Sequence, residues 1–429
     1  MFNFERNYSG NQYQWTIIFK AIDEKSGCDR MQSNNQHTVL WCVPVVLWWT
    51  AFSHRRDEIR KCDHKHCFFT ESRSFRLVPE TKAFLFYGSD INLTDLPVPR
   101  KQEIWALFHE ESLKNAPFLS SEKFTRLFNF TSTFDRESDL PSTTMHLSSL
   151  DAITDIKYLV PTKLKNELLE SIAPIVYIQS SCDTLINRDE YVVNLSQYLK
   201  IDSFGKCLNN AELPTNLRTL ESLNSPEFLA FLSRYKFTIA VENAVCDDYI
   251  TEKLWRSLIV GSVPIYFGSP TIRDWLPNDK SVIFIEDFAS PRDLADFIEE
   301  LNYRDDLYDQ YLLHKSIAKV DNILLKSVLT NRPWNEYGSL IEKFECDVCL
   351  ALHEPSRLVS RKNFRRHFKC EKPTSLLTNE KNESNFWSAI FDVERCRGDA
   401  VFEIVSKNET LTEKVVEERV NRISASGGC

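Results

Sequence analysis

Seven short apolar runs recur along the chain, and helix-like stretches separate several of them. The runs are Val43–Trp49, Ala83–Tyr87, Ile104–Phe108, Ile175–Gln179, Phe237–Val241, Val263–Phe267 and Val282–Ile285. Helical patterns occupy Asp189–Leu199, Ser225–Tyr235, Ile250–Ile259 and Pro291–Leu301. Ser290 and Pro291 open the last as N-cap and first-turn residues should. Strands alternating with helices demand crossover connections, and hence mostly parallel sheets in an α/β fold. With 429 residues, the chain is long enough for two such domains with tails.

A polar segment, Ser132–Pro161, divides the pattern near its middle. The expected organisation is a poorly ordered leader over 1–37, α/β domains over 38–165 and 166–345, and a cysteine-tied segment with a polar tail over 346–429. The tail is rich in charge and poor in periodic apolar residues, so loosely ordered polypeptide is expected there. The longest apolar run, Thr38–Phe52, has 15 residues and contains Pro44. A membrane-spanning helix needs about 20 apolar residues, so this run reads as a buried first strand. A charged cluster, His54 to Glu58, ends it.

The net charge of −9 argues against a general affinity for nucleic acid or anionic lipid. Twelve cysteines and the sequons at Asn92, Asn129, Asn194, Asn382 and Asn408 together lean toward an oxidising lumen. Cys346-x-x-Cys349 admits three readings on its own: a zinc site with His367 and Cys370, a redox pair, or structural disulfides.

The chemistry concentrates between Tyr235 and Trp275. The strand Phe237–Val241 delivers Glu242 and Asn243 at its carboxyl end, where open α/β sheets bind ligands. Thr251 can begin a helix whose first turn holds Glu252 and Lys253. A helix N-terminus attracts anions, so a lysine there opposes the helix dipole and needs a reason. A diphosphate would supply one. Asp247-Asp248 lacks the D-x-D spacing of a metal-bridged diphosphate site, and a solvated acidic loop is the expectation.

This segment resembles the donor-binding motif of the α1,3/4-fucosyltransferases, glycosyltransferase family 10: F-E-N-S-x(4)-D-Y-x-T-E-K-L…G-x-V-P-V-x-x-G. The likeness extends over about residues 43–350. Within the family, FHEES, RESD, DSFGKCLNN, FLSRYKF and GSPTIRDWLPN are most similar to its ten-and-eleven branch. Ala244 departs from the serine of many members, and the family's type II membrane anchor is not seen in this sequence.

The resemblance implies a GT-B architecture, in which two Rossmann-like domains face each other across a cleft. It also implies GDP-fucose as donor, no required cofactor or metal, and a location in the Golgi or endoplasmic reticulum. The acceptor it implies is either a glycan or a Ser/Thr hydroxyl of a folded, cysteine-rich protein domain. Glu111 falls on the family's E-S-P motif as general base, with Glu110 as competitor. Inverting transfer needs such a carboxylate opposite the leaving group. Arg188 and Lys253 are implied as diphosphate-binding cations, replacing a divalent ion. Asn243, Tyr249, Glu252 and Ser180 are implied around the donor, although Tyr249 is equally compatible with core packing. The resemblance further implies that Cys62 and Cys67 pair with Cys346 and Cys349, in that or the crossed order. Two other function classes stay open: a silent relative that still binds GDP-fucose, which the joint retention of Glu111, Arg188 and Lys253 argues against, and a GT-B transferase for another nucleotide sugar.

Overall fold

The computed structural model describes residues 43–50, 57–358, 368–378, 380 and 385–428. The leader 1–37, most of the charged cluster after the first strand, His367 and Asn382 lie outside these residues.

The N-terminal lobe is built on strands β1 (Val45–Trp48), β2 (Glu58–Cys62), β3 (Lys65–Thr70), β4 (Thr81–Tyr87), β5 (Ile104–His109) and β6 (Phe130–Thr133), in the order β2-β3-β1-β4-β5-β6. All neighbours are parallel except β2 and β3, which form an edge hairpin turning at Asp63 (φ 55°). Every residue of β1 is buried, as a central parallel strand covered on both faces requires.

The second lobe carries β7 (Ile175–Gln179), β8 (Ile201–Gly205), β9 (Phe237–Val241), β10 (Val263–Phe267) and β11 (Ile283–Phe284), all parallel, in the order β11-β10-β9-β7-β8. The chain moves outward from β7 to β8, then returns to place β9 on the other side of β7. The carboxyl ends of β7 and β9 therefore form the switch point where such sheets open a ligand crevice. Helix Arg188–Leu195 follows β7 and helix Glu252–Val260 follows β9. The latter starts on the Thr251 side chain, which accepts from the Lys253 amide, and stops at Gly261 in the left-handed region (φ 68°).

Beyond the second sheet the chain returns to the first lobe. Helix Leu340–His353 lays Phe344 against Trp48 and Phe108, with ring centroids 5.9 and 5.6 Å apart. Disulfides Cys62–Cys346 and Cys67–Cys349 staple it to the hairpin. The pairing is the uncrossed one. A link spanning 284 residues removes about 5 kcal/mol of unfolded-chain entropy on the loop-closure model.

The C-terminal tail is more ordered than its composition suggests. Helix Phe386–Ser406 packs on the first lobe, and helix Glu413–Ala425 packs on that helix. Phe391, Val401, Ile404, Val405 and Val416 join the main apolar core, and small residues let the longer helix approach closely. A Cβ on Gly398 would lie 2.7 Å from the Ser121 side chain and 2.8 Å from the Phe118 carbonyl, so only glycine permits that approach. Next to it, buried Asp399 accepts from Ser121 Oγ at 2.5 Å.

The lobes are locked together by Asp248. This residue was expected in a solvated acidic loop. Instead it is 2% exposed, in the left-handed region (φ 62°), and held by Arg136 of the first lobe. Arg136 Nε donates to both carboxylate oxygens at 3.0 and 2.8 Å, and its backbone N–H donates at 3.1 Å. Thr271 Oγ1 and Trp275 Nε1 donate to Oδ1 at 2.7 and 2.9 Å. Burial alone would raise the Asp248 pKa, but these hydrogen bonds hold it below the ordinary carboxylate value.

Removing one partner of a buried ion pair leaves a charge without compensation. Arg136→Met is therefore expected to lower unfolding free energy by about 3 kcal/mol. The loss should shrink as pH falls and the abandoned Asp248 protonates. Adding Asp248→Asn should recover part of it at neutral pH. Denaturant titrations of both variants check this; an additive double mutant would contradict the coupling.

Candidate active site

β5 delivers His109, Glu110 and Glu111 to the face of the first lobe that meets the second. The two glutamates turn in different directions. Glu110 accepts from Tyr87 Oη of its own lobe at 3.1 Å, and burial pushes its pKa up to about 7. Glu111 faces across the cleft, where Tyr249 Oη donates to its Oε2 at 3.3 Å. Burial raises the Glu111 pKa above its ordinary value, with Lys253 opposing and Glu252 reinforcing the shift. Glu111 and Lys253 thus feel each other's charge across the interlobe cleft.

Tyr249 is 1% exposed and packs on Phe134, with ring centroids 5.0 Å apart. It is core and site at once: the ring anchors the loop after β9, and the hydroxyl orients Glu111. Asp248, its neighbour, has both carboxylate oxygens engaged by protein donors, which leaves it poorly suited to coordinate an ion.

Lys253 does not stand against the helix dipole alone. Its Nζ donates to Thr251 Oγ1 at 2.8 Å and lies 3.3 Å from Glu242 Oε2 and 3.5 Å from Glu252 Oε1. Burial works against its charge, but Glu242 and Glu252 outweigh it and raise the ammonium pKa. Glu242, fully buried, also accepts from the Thr251 amide at 2.7 Å. The sequence places it at the carboxyl end of the strand but assigns it no role. The signal was an acid at a strand end, eleven positions before a lysine that lacked a local reason.

Glu252 is itself held by cations. Burial would raise its pKa, but Lys253, Arg256 and His146 bring it down to about 2. Arg256 Nη2 lies 3.1 Å from Glu252 Oε1. Neither Arg256 nor His146 stood out in the sequence, since His146 comes from the connecting segment between lobes and meets the helix only in three dimensions.

Arg188 begins its helix after Asn187, which adopts φ 51°. It is 1% exposed, which rules out a surface arginine paired to Asp189 or Glu190; Asp189 instead accepts from Tyr177 Oη. Arg188 Nη1 donates to the Val241 carbonyl at 3.0 Å and Nη2 to the Ser181 carbonyl at 2.7 Å. Its buried Nε–H has no partner. Of five donors, two are spent on bracing the ends of β7 and β9. Asn243 follows β9 and keeps a buried Oδ1 without a partner. Ser180 is exposed on the loop after β7.

The cysteines are structural. Cys182–Cys207 braces the loop after β7, and Cys246–Cys370 braces the loop after β9. The latter overturns the zinc reading, since Cys346, Cys349 and Cys370 are all oxidised. Among the described residues, the two clusters with ligand-like spacing each contain a disulfide's own pair of cysteines, so neither offers a free thiolate set. Asn92, Asn129 and Asn408 are exposed, and Asn194 is half-buried within helix Arg188–Leu195. No helix among the described residues is long and apolar enough to cross a membrane.

Two family models match the chain: "Fucosyltransferase, N-terminal" over residues 42–144, and "Glycosyltransferase family 10 (fucosyltransferase) C-term" over residues 168–366. Among curated relatives, GDP-fucose protein O-fucosyltransferase 3 of Rattus norvegicus is 45% identical over 343 residues, covering 77% of this chain and 71% of the relative. The Homo sapiens protein of that name is 39% identical over 389 residues (86% and 81%), and the Danio rerio one 38% over 393 (88% and 86%). A solved α1,3-fucosyltransferase with GDP-fucose aligns over 80% of this chain and 96% of its own, at 15% identity and a TM-score of 0.42. With both family models matched and relatives at this identity over most of their length, the chain belongs to glycosyltransferase family 10, the fucosyltransferases.

Proposed function

We propose that the protein is an inverting, metal-independent transferase that moves L-fucose from GDP-β-L-fucose to a Ser or Thr hydroxyl of a folded protein. The observation that carries this reading is the placement of Glu111 across the cleft from Lys253 and Arg188. Glu111 takes the proton from the acceptor hydroxyl as its oxygen bonds to the anomeric carbon. The bond from that carbon to the β-phosphate oxygen breaks, and GDP leaves with its electron pair. Arg188 and Lys253 receive the charge that develops on the diphosphate, in a site where they are already oriented. Glu252, kept ionised chiefly by Lys253 and Arg256, suits the ribose hydroxyls of the donor. Asn243 and Ser180 flank the same crevice, and Tyr249 acts by aiming Glu111.

The protein acceptor is supported by relatives named as protein O-fucosyltransferases. The absence of a metal requirement is supported by the two cations at the switch point and by Asp248 being consumed structurally. A lumenal, secretory-pathway location is supported by the disulfides and the exposed sequons.

Glu111→Gln is expected to bind GDP as the native protein does and to lose at least about a hundredfold in transfer, the scale of general-base catalysis. Because the base must be ionised and its pKa is raised, transfer should fall with acidification at a pH above the ordinary glutamate range. Rate profiles of kcat/KM with labelled GDP-fucose and a panel of folded domains and glycans read both; native turnover by Glu111→Gln would remove it from the mechanism.

Lys253→Ala and Arg188→Ala are each expected to weaken GDP binding about tenfold or more, as loss of a charge-assisted contact should. Activity is expected to persist in EDTA. Calorimetry showing native GDP affinity in both variants, or activity restored only by a divalent ion, would defeat the diphosphate assignment.

A further inference from the structure

Lys114 lies three residues after Glu111, on the first lobe. Its Nζ donates to Ser181 Oγ of the second lobe at 3.0 Å and sits 5.3 Å from the centre of the Trp387 ring. The carbonyl of the same Ser181 accepts from Arg188 Nη2 at 2.7 Å. One residue at the switch point is therefore held from both sides by cations from opposite lobes. Trp387, the platform under Lys114, comes from the C-terminal helix and is fixed by its Nε1 donating to Asp183 Oδ1 at 2.9 Å. Three separate parts of the chain converge to place this ammonium.

The arrangement is electrostatically unfavourable as it stands. Lys114 is half-buried, and among the described residues it makes no ion pair. Burial lowers its pKa, with Asp183 countering and Arg188 adding to the shift. Asp183 is committed to Trp387. Lys253, by contrast, has Glu242 and Glu252 within reach. Asp183 and Glu111 both favour the Lys114 charge, but among the described residues neither comes within ion-pair distance. Bringing a second cation up to Arg188 without a direct ion pair makes physical sense if an anion enters between them.

We infer that Lys114 is a third donor-binding cation, supplied by the acceptor-side lobe, that contacts the diphosphate of the nucleotide sugar and closes the cleft over it. This rests on the donor reading above. It gives the first lobe a role in holding the donor, beyond supplying the base. In this state the ammonium is parked on Ser181 and the Trp387 ring, within the same loop pair that receives the phosphates.

The test uses the full chain with Lys114→Gln, which keeps a donor for Ser181 but removes the charge, and Lys114→Arg, which keeps the charge. Inhibition constants for GDP and for guanosine are measured against fucose transfer at two salt concentrations, beside KM for GDP-fucose. Lys114→Gln is expected to weaken GDP and raise KM about tenfold, with a flatter salt dependence, while guanosine is unchanged. Lys114→Arg should stay near native. If GDP and guanosine weaken together, or neither changes while the native chain transfers fucose, the assignment of Lys114 is overturned. If the native chain shows no transfer from GDP-fucose and no inhibition by GDP, the donor reading fails first and this inference with it.

Discussion

The clasp of Arg136 on the Asp248 carboxylate fixes everything else in the site. Asp248 occupies the left-handed region inside the loop after β9, and Arg136 reaches it from the opposite lobe. Tyr249 is the next residue and must follow wherever Asp248 is held. Its hydroxyl then meets Glu111, and its ring seats on Phe134, two positions before Arg136. The base is thus referenced to the donor lobe by a path of two residues on each side. Without that clasp, the carboxylate would be placed only by its own strand end, and the distance to the cations would depend on lobe opening.

The electrostatics of the crevice are an alternation and not a simple positive pocket. Glu111, Glu242 and Glu252 interleave with Lys253, Arg256 and Arg188. The fully buried Glu242 secures Lys253 in its charged state, and Lys253 with Arg256 secures Glu252 in its charged state. Such mutual support means that the charges are present and oriented before a ligand arrives, so little reorganisation is needed when charge moves onto a leaving diphosphate. Glu111 is the exception. Burial raises its pKa, and the hydrogen bond it accepts comes from Tyr249 of the other lobe. That contrast between a held-down Glu252 and a pushed-up Glu111 fits the proposed roles of a binding acid and a proton acceptor.

The strand ends that bear function were legible because apolar runs stop abruptly at polar residues: Phe108 before Glu111, Val241 before Asn243, Gln179 before Ser180. Thr251 was legible as a cap by local rules alone. What escaped notice depends on tertiary partners. Hairpin β2–β3 reads as a charged turn region, since its edge strand EIRKC exposes its polar side chains. Strand β6, FTST, ends inside the segment taken as a polar divider, with Ser132 and Thr133 its first two residues; the strand's buried hydroxyls are satisfied by Asp139, Ser138 and the Leu140 carbonyl, none predictable from spacing. Asp248 looked solvated because Arg136 is 112 residues away. The tail looked loose because its composition is rich in charge, while the core that takes up Phe391, Val401, Ile404, Val405 and Val416 lies far away in sequence. Arg188 reads as a helix-surface residue in one dimension and is sealed in three.

The residues proposed to bind the donor sit on or beside loops, the softest parts of a fold. Here the bracing is covalent. The loop after β7, with Ser180, Ser181 and Arg188, is tied by Cys182–Cys207 to the end of β8. The loop after β9, with Asn243, Asp248 and Tyr249, is tied by Cys246–Cys370 to a strap whose Phe368 packs on Phe134 and His109 at 5.5 and 5.6 Å. The strap's backbone pairs with that loop through Asp247 N–H to the Lys369 carbonyl and Glu371 N–H to the Val245 carbonyl, each at 2.9 Å. Both of these second-lobe loops therefore carry their own crosslink, while Cys62–Cys346 and Cys67–Cys349 hold the returning helix to the first lobe. A site organised this way draws its rigidity from oxidation of its thiols, so the redox state of the surroundings and the geometry of the charges are physically coupled.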